Sequence, residues 1–223
     1  GLGLMTARLL VESGATQVAL ASRSGRVQAG SETDWEWLSS SGADVQHIYC
    51  NVSDDAEVVA TMRRAVGGGW KFGSIFHAAH ALADALLLNQ TPQHFRTAYG
   101  PKVHGARALH ATASRTPLGL FNVYASLAGL LGSAGQAPHS AANAWLDSMV
   151  HWRRTLGMCA QSVAWGAVAG VGYAARHGAD RRAAANGMGS ISRGVTLEAL
   201  RRILVAGCDD FAVLPVDWSR WNV

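Results

Sequence analysis

The sequence predicts an α/β chain built on a doubly wound parallel sheet, and three observations carry that expectation. Short apolar runs alternate with single helical stretches along the length, the pattern of strands joined by helical crossovers that cover both faces of a sheet. The strand candidates are apolar runs rather than alternating ones, as expected where both faces are covered. The 223 residues, 49% hydrophobic and 15% charged, suit one packed domain and are too apolar for disorder.

Taken in order, Leu2–Glu12 has helical periodicity and Gly14 suits its end. Gln17–Ala21 reads as a short strand, Asp34–Ser40 as a helix and Asp44–Cys50 as a strand. Ser53 is the expected N-cap of a helix running to about Val66, with Asp54 and Asp55 in its first turn. Gly67–Gly69 stop that helix, and Ser74–Ala79 is the next strand. Thr91–Ala113 is a long helical stretch in which Pro101 marks an irregularity. Leu118–Ser126 is a strand, Ala141–Leu156 an amphipathic helix and Ala160–Trp165 a strand. The stretch 170–193, rich in Gly, Ala and Arg, reads as a mobile lid. Thr196–Ala206 is a helix and Phe211–Pro215 the last strand.

Composition narrows the function classes. The formal charge is +4, but the basic residues are scattered apart from pairs such as Arg63-Arg64 and Arg181-Arg182. No basic stripe with interleaved aromatics appears, so nucleic acid is not an expected partner. No apolar run approaches the ~20 residues of a membrane span, and nothing at the start has the layout of a signal peptide. Cys50, Cys159 and Cys208 are an odd set without CxxC spacing, read as reduced, buried thiols in a reducing compartment.

Gly1-Leu2-Gly3 opens directly into the first helix. Glycines there let backbone N–H groups approach a pyrophosphate at the helix N-terminus. The following strand ends in Ser22-Arg23-Ser24, where an Arg and hydroxyls can hold a ribose 2′-phosphate, which favours NADP over NAD. A strand is expected before the glycine loop, in the middle of the sheet, and it is absent. The expectation is a fragment of a longer polypeptide whose sheet has a central gap.

Three segments together resemble a known family: Lys102-Val103-His104-Gly105-Ala106, Ser126-Leu127-Ala128-Gly129-Leu130-Leu131-Gly132-Ser133-Ala134-Gly135-Gln136, and Ala141-Ala142-Asn143-Ala144-Trp145-Leu146-Asp147. They resemble the ketoreductase domain of modular polyketide and fatty acid synthases, a branch of the short-chain dehydrogenase/reductases with a Rossmann-like fold. His77-Ala78-Ala79, Trp165-Gly166 and the ending Leu214-Pro215-Val216-Asp217-Trp218 extend the likeness over almost the whole chain. The resemblance implies a single NADP-binding domain that passes hydride from NADPH to the β-keto group of a thioester on an acyl carrier protein, next to other domains of one polypeptide. It implies a cytoplasmic setting, or an organelle stroma. The cofactor would meet Gly1, Gly3, Ser22, Arg23, Ser24, Asn51, Val52, Ala78, Ala79, Trp165 and Gly166, and no metal is expected.

The family uses Tyr as proton donor, Ser to hold the carbonyl oxygen, and Lys and Asn to complete the relay. Lys102, Ser126 and Asn143 match three of these. Position 139, which lies 13 residues after Ser126, 37 after Lys102 and four before Asn143, carries His139 instead of Tyr. A protonated imidazole is an acid near neutral pH, but the neighbouring Lys102 disfavours a second positive charge. The ring is also shorter than a phenol, and a catalytic group displaced by about 1 Å loses on the order of a hundredfold. The expectation is weak or silent reduction.

Other positions depart from the family too. Asn51 stands where Asp is usual, and His80 where Gly is usual. Leu82-Ala83-Asp84 lacks the middle Asp of one stereochemical marker, and Leu131 replaces the Trp of the other. Tyr124, two residues before Ser126, is read as a core aromatic, and the remaining His and Trp as packing or surface residues. Three readings stay open: an active ketoreductase with an unusual acid, a silent homologue kept as a structural unit, and a cofactor-binding module without turnover.

Overall fold

The computed structural model describes residues 1–169 and 187–220. Its strands are β1 (Gln17–Ser22), β2 (Asp44–Tyr49), β3 (Ser74–His77), β4 (Leu120–Ser126), β5 (Gln161–Trp165) and β6 (Asp210–Val213). All pairings are parallel, β1 with β2 and β3-β4-β5-β6 in chain order. The register sets Val18 beside Val45, Phe76 beside Asn122, and Val163 beside Phe211.

The alternation of strand and helix thus produces the doubly wound α/β arrangement expected of it. On one face of the four-stranded sheet, Phe121 and Val123 pack with Ala106, Leu146, Met149 and Val150. On the other, Tyr124, Val163 and Trp165 pack with Leu9, Leu200 and Ile203. The two sets come from alternate residues of the strands, so each side chain faces its own helical layer. β5 is buried throughout and β4 along its interior. β1 and β6 depart from the expected apolar run and alternate covered and exposed positions. For β1 the packed face is the one bearing Val18, against Ala7 and Leu38.

The sheet is divided. β1 and β3 do not pair, and a cavity of about 1180 Å³ lies between them, with Val18 and Leu20 on one wall and Ile75 and Phe76 on the other.

Helix α1 spans Leu2–Glu12, α2 Glu32–Ser40 and α3 Asp55–Gly67. The cap of α3 is Asp54, not Ser53: its carboxylate accepts from the N–H groups of Ala56 and Glu57 at 2.8 and 3.2 Å. A carboxylate suits the positive end of the helix better than a hydroxyl. The stretch Thr91–Ala113 is helical with the break that Pro101 implied. It consists of α4 (Pro92–Tyr99), a wide π turn over Gly100–His104, and α5 (Gly105–Ala113). Proline has no N–H to continue the α ladder, and the turn widens there. At Gly105 a Cβ would stand 2.9 Å from Val52 Cγ2 and 3.1 Å from His77 Cε1, so glycine is what lets α5 close onto the strand ends.

Two helices differ most from expectation. The five-residue α6 (Leu127–Leu131) is too short to leave a periodic signal. The next helix, α7, spans Ala137–Thr155 and starts four residues before Ala141, with Pro138 in its first turn, where proline is tolerated. His139 therefore sits on the helix rather than ahead of it. The last helix, α8, spans Arg193–Ala206 and is capped by Ser192, whose Oγ accepts from Val195 N. Residues 170–186 of the expected lid lie outside the described residues. Among the described residues no helix is long and apolar enough to cross a membrane.

The cysteine reading is corrected. Cys159, just before β5, and Cys208, just before β6, form a disulfide, and Cys50 alone is a free buried thiol. The two bridged residues are not buried, and the bridge removes the argument for a reducing compartment. Parallel neighbours β5 and β6 bring residues 49 apart in sequence to the same end of the sheet.

Asp34 is a long-range anchor that no local pattern announces. It is buried and accepts from Arg193 Nη1 and Nη2 at 2.9 and 2.5 Å and from Arg8 Nη1 at 3.2 Å, joining α1, α2 and α8. Burial raises the carboxyl pKa, but the Arg193 and Arg8 contacts outweigh it and hold the group below the ordinary Asp value. Removing one partner of a buried pair is costly because the rest stays desolvated. Asp34→Ala is expected to lose about 3 kcal/mol of unfolding free energy at pH 7. A depressed carboxylate contributes fully above its unfolded pKa of about 3.9 and loses that contribution as pH falls through the lower folded value. Urea titrations of parent and variant across this range check it: the difference between them closes in acid.

Candidate functional site

One corner of the cavity is shaped for an anionic ligand. Helix α1 begins without a side-chain cap and without an acidic residue in its first turn. Gly1, Leu2 and Gly3 line the cavity, so first-turn amides and the positive helix end stand at its wall. Ser22, Arg23 and Ser24 at the end of β1 line it as well. The turn is ordered locally: Ser24 Oγ accepts from Arg26 N at 3.2 Å, Ser22 Oγ lies 3.1 Å from His47 Nε2, and Gly25 takes a φ of +58°. Arg26 joins Arg23 on the wall. The sequence reading passed over it, although it lies in the same turn.

Val52, Ala78, Ala79, Trp165 and Gly166 complete this side. Asn51 is not among the lining residues. Its Oδ1 accepts from Ser53 N at 3.2 Å and its own N–H donates to Glu57 Oε2 at 2.7 Å, so it shapes the turn into α3. Trp165 Nε1 is buried and has no hydrogen-bond partner among the described residues.

The other corner collects the chemistry-bearing residues. Ser126 ends β4, and its Oγ accepts from Ala128 N at 3.2 Å, capping α6. Gly129 of α6 meets α7 closely: a Cβ there would stand 2.9 Å from Asn143 Cβ and 3.1 Å from Ala144 N. That contact sets the distance between the serine loop and the helix bearing His139. The Asn143 side chain is fully buried behind the wall, and its Nδ2 donates to the carbonyl of His139 at 2.7 Å. Asn143 Oδ1, His139 Nδ1 and Ser140 Oγ are buried without hydrogen-bond partners among the described residues. Ser126, Lys102, His80 and His139 line the cavity together.

Lys102 comes from the π turn and is 3% exposed. Its Nζ donates to the carbonyl of Tyr124 at 2.9 Å. Burial pulls its pKa down to about 7, with Asp147 opposing the shift. His139 is pushed down to about 3, first by burial and then by the charges of Lys102 and His80. At neutral pH its imidazole is unprotonated. Tyr124 is no substitute acid: burial raises its pKa, and its hydroxyl is engaged with Thr6 Oγ1 at 2.5 Å while the ring packs edge-on to Trp165. The core-aromatic reading of Tyr124 holds.

The loop over this corner is tied down by Gln136 Nε2, which donates to Asp84 Oδ2 at 3.0 Å, and by Ala85 N, which donates to the Gly135 carbonyl at 2.9 Å. Among the described residues no group of three or more His, Cys, Asp or Glu is placed to hold a metal ion.

The family model described as KR domain matches residues 1–170. The chain is 36% identical over 172 residues to the phthioceranic/hydroxyphthioceranic acid synthase of Mycobacterium tuberculosis, which covers 77% of this chain and 8% of that one. It is 34% identical over 225 residues to polyketide synthase GfsA of Streptomyces halstedii, covering 99% of this chain and 3% of the relative. Among solved structures, an A-type ketoreductase from a modular polyketide synthase superposes with a TM-score of 0.92 at 30% identity, over 99% of this chain and 46% of that one. The chain thus spans less than a tenth of these synthases and about half of the solved ketoreductase. The matched family, the synthase relatives and the Rossmann-like superposition agree, and the chain belongs to the KR domain family, the ketoreductase domains of polyketide synthases.

Proposed function

We propose that this chain binds NADPH and reduces the β-keto group of an acyl thioester presented by an acyl carrier protein, as a single domain among others of a synthase, and that it does so slowly. KR domains of polyketide synthases are NAD(P)-dependent reductases. One observation carries the reading: Ser126 and Lys102 share a cavity with the N-terminus of α1 and two arginines, while the position of the proton donor holds an imidazole that is neutral at physiological pH.

The residues present fit the cofactor. The first amides of α1 would hold its pyrophosphate, and Arg23 and Arg26 a ribose 2′-phosphate. Bound NADPH supplies the hydride. Ser126 Oγ, with Ala128 N already donating to it, is oriented to donate to the substrate carbonyl oxygen. The Lys102 ammonium adds positive charge where the alkoxide develops. Asn143 holds the first turn of α7 through the His139 carbonyl. What the corner lacks is a well-placed acid, since His139 is a neutral imidazole whose remaining N–H is a very weak acid, and Tyr124 is committed to Thr6. The reading as a silent homologue draws on that same lack, and turnover by the parent itself separates the two.

A positioned general acid contributes roughly 10²–10⁴-fold. His139→Tyr is expected to raise kcat/KM by about a hundredfold or more, read as NADPH oxidation with a carrier-loaded β-ketoacyl thioester. An unchanged rate would reject the silenced-acid reading. In the parent the rate should fall as pH rises through about 7, where Lys102 loses its proton. On the cofactor side, Arg23→Ala is expected to weaken NADPH binding about tenfold, as loss of one charge-assisted contact implies, and to leave NADH unaffected. Fluorescence titration with the two dinucleotides distinguishes the cases.

A further inference from the structure

Ala78 and Ala79 line the cofactor side of the cavity, and the residue before them, His77, ends β3 with its imidazole buried, 3% exposed. Its Nε2 lies 3.2 Å from the carbonyl oxygen of Lys102. A carbonyl only accepts, so this nitrogen carries the proton and donates it. Burial, and then the Lys102 charge, push the ring's pKa down to about 4, against main-chain hydrogen bonds at Lys102 and Pro101 that favour the cation. The donor is therefore a neutral ring at physiological pH. The acceptor belongs to the π turn over Gly100–His104, where the α ladder is interrupted. Just past the turn, the Gly105 N–H is shared between the carbonyls of Gly100 and Lys102, five and three residues back. An N–H divided in this way commits the main chain to neither spacing, and the imidazole takes the second lone pair of the Lys102 carbonyl from outside the helix. In register His77 lies beside Val123, the residue before Tyr124. Tyr124 supplies the carbonyl to which Lys102 Nζ donates at 2.9 Å. Lys102 is thus gripped at both ends by adjacent strands, its main chain by β3 and its ammonium by β4.

We propose that His77 is a positioning residue for Lys102, its Nε2–H fixing the π turn so that the ammonium reaches the Tyr124 carbonyl at the wall of the reactive cavity. This deepens the reduction reading, on which the role of the ammonium rests, by naming what holds it. A ring of similar size without a donor would fill the space and leave the turn to the divided Gly105 N–H alone. The turn would then relax, and the flexible lysine stem would carry its ammonium toward water, where the charge is better solvated. His77 is uncharged near neutrality, so replacing it takes no charge from the surroundings of Lys102. A change in the lysine's titration therefore reports movement. The other titratable groups electrostatically linked to Lys102 are His139 and Asp147, and both are kept in the variants that test the proposal.

The chain has only two lysines, Lys71 and Lys102. NMR of the protein isotopically labelled at the lysine ε-carbon therefore follows two signals, and Lys71→Arg assigns them. In the parent Lys102 should titrate near 7. In His77→Phe the midpoint should rise by about one pH unit or more, a tenfold or larger change in the protonation ratio. His77→Gln keeps an N–H donor and should return the midpoint to the parent value. Unfolding stability should follow packing and favour Phe over Gln, whereas the Lys102 titration should follow the donor and favour Gln over Phe. A residue that only filled space would not give that inversion. An unchanged midpoint in His77→Phe, or a shift in His77→Gln as large as in His77→Phe, overturns the proposal. Where a variant misfolds, nitrogen NMR of the parent's histidine rings decides: His77 should stay in its Nε2–H form between about pH 5.5 and 8, and a ring that carries its proton on Nδ1, or titrates near the ordinary histidine value, overturns the proposal. These titrations need neither substrate nor turnover, so a chain that proves silent with NADPH counts against the reduction reading and leaves the result on His77 standing.

Discussion

Lys102 sits in a place where an ammonium is costly, 3% exposed, with the carbonyl of Tyr124 as a hydrogen-bond acceptor 2.9 Å away. Its burial has two effects that shape the rest of the corner. The lysine's own proton is loosened toward neutrality, and its field, added to desolvation, strips the proton from His139. A tyrosine at that position would be neutral in its proton-bearing form and so would tolerate the neighbouring cation. A histidine bears its acidic proton only as a cation, which the same neighbour opposes. The substitution thus changes the sign of the coupling as well as the length of the side chain.

The corner exists because several elements are forced together by small residues and one proline. Pro101 opens the π turn that carries Lys102. Gly105 lets α5 settle against Val52 and His77, and Gly129 lets α6 settle against Asn143. None of these residues contributes a reacting group. They set the separations that the reacting groups require, and a side chain at either glycine would have to displace a well-packed neighbour by several tenths of an ångström.

Much of this was legible in the sequence, for physical reasons. Central strands such as β4 and β5 are apolar on both faces and announce themselves, as does the kink at Pro101. The segments around Lys102, Ser126 and Asn143 carry the resemblance to the family, and His139 stands out against it. What escaped was non-local or short. Asp34 meets Arg193 across 159 positions, and the disulfide spans 49; neither leaves a local pattern. α6 is only one turn and a half long. α7 starts ahead of the expected Ala141 because its first turn needs no N–H from Pro138. Asn51 is expected at the cofactor from the resemblance, whereas in the structure its Oδ1 accepts from Ser53 N in the turn into α3. Arg26 was overlooked beside a more familiar neighbour.

The bond between Cys159 and Cys208 ties the two strand starts together at the end of the sheet opposite Ser126 and Trp165. Everything between those cysteines, including β5, α8 and the approach to β6, belongs to one covalent ring. A protease cutting within that ring would leave a nicked chain whose two pieces stay joined until the bond is reduced. α8, held at Asp34 by Arg193, could not drift from the sheet even with its backbone connection severed on one side. This half of the molecule therefore has topological insurance against backbone breaks that the two-stranded half lacks, since Cys50, the remaining cysteine, is unpaired.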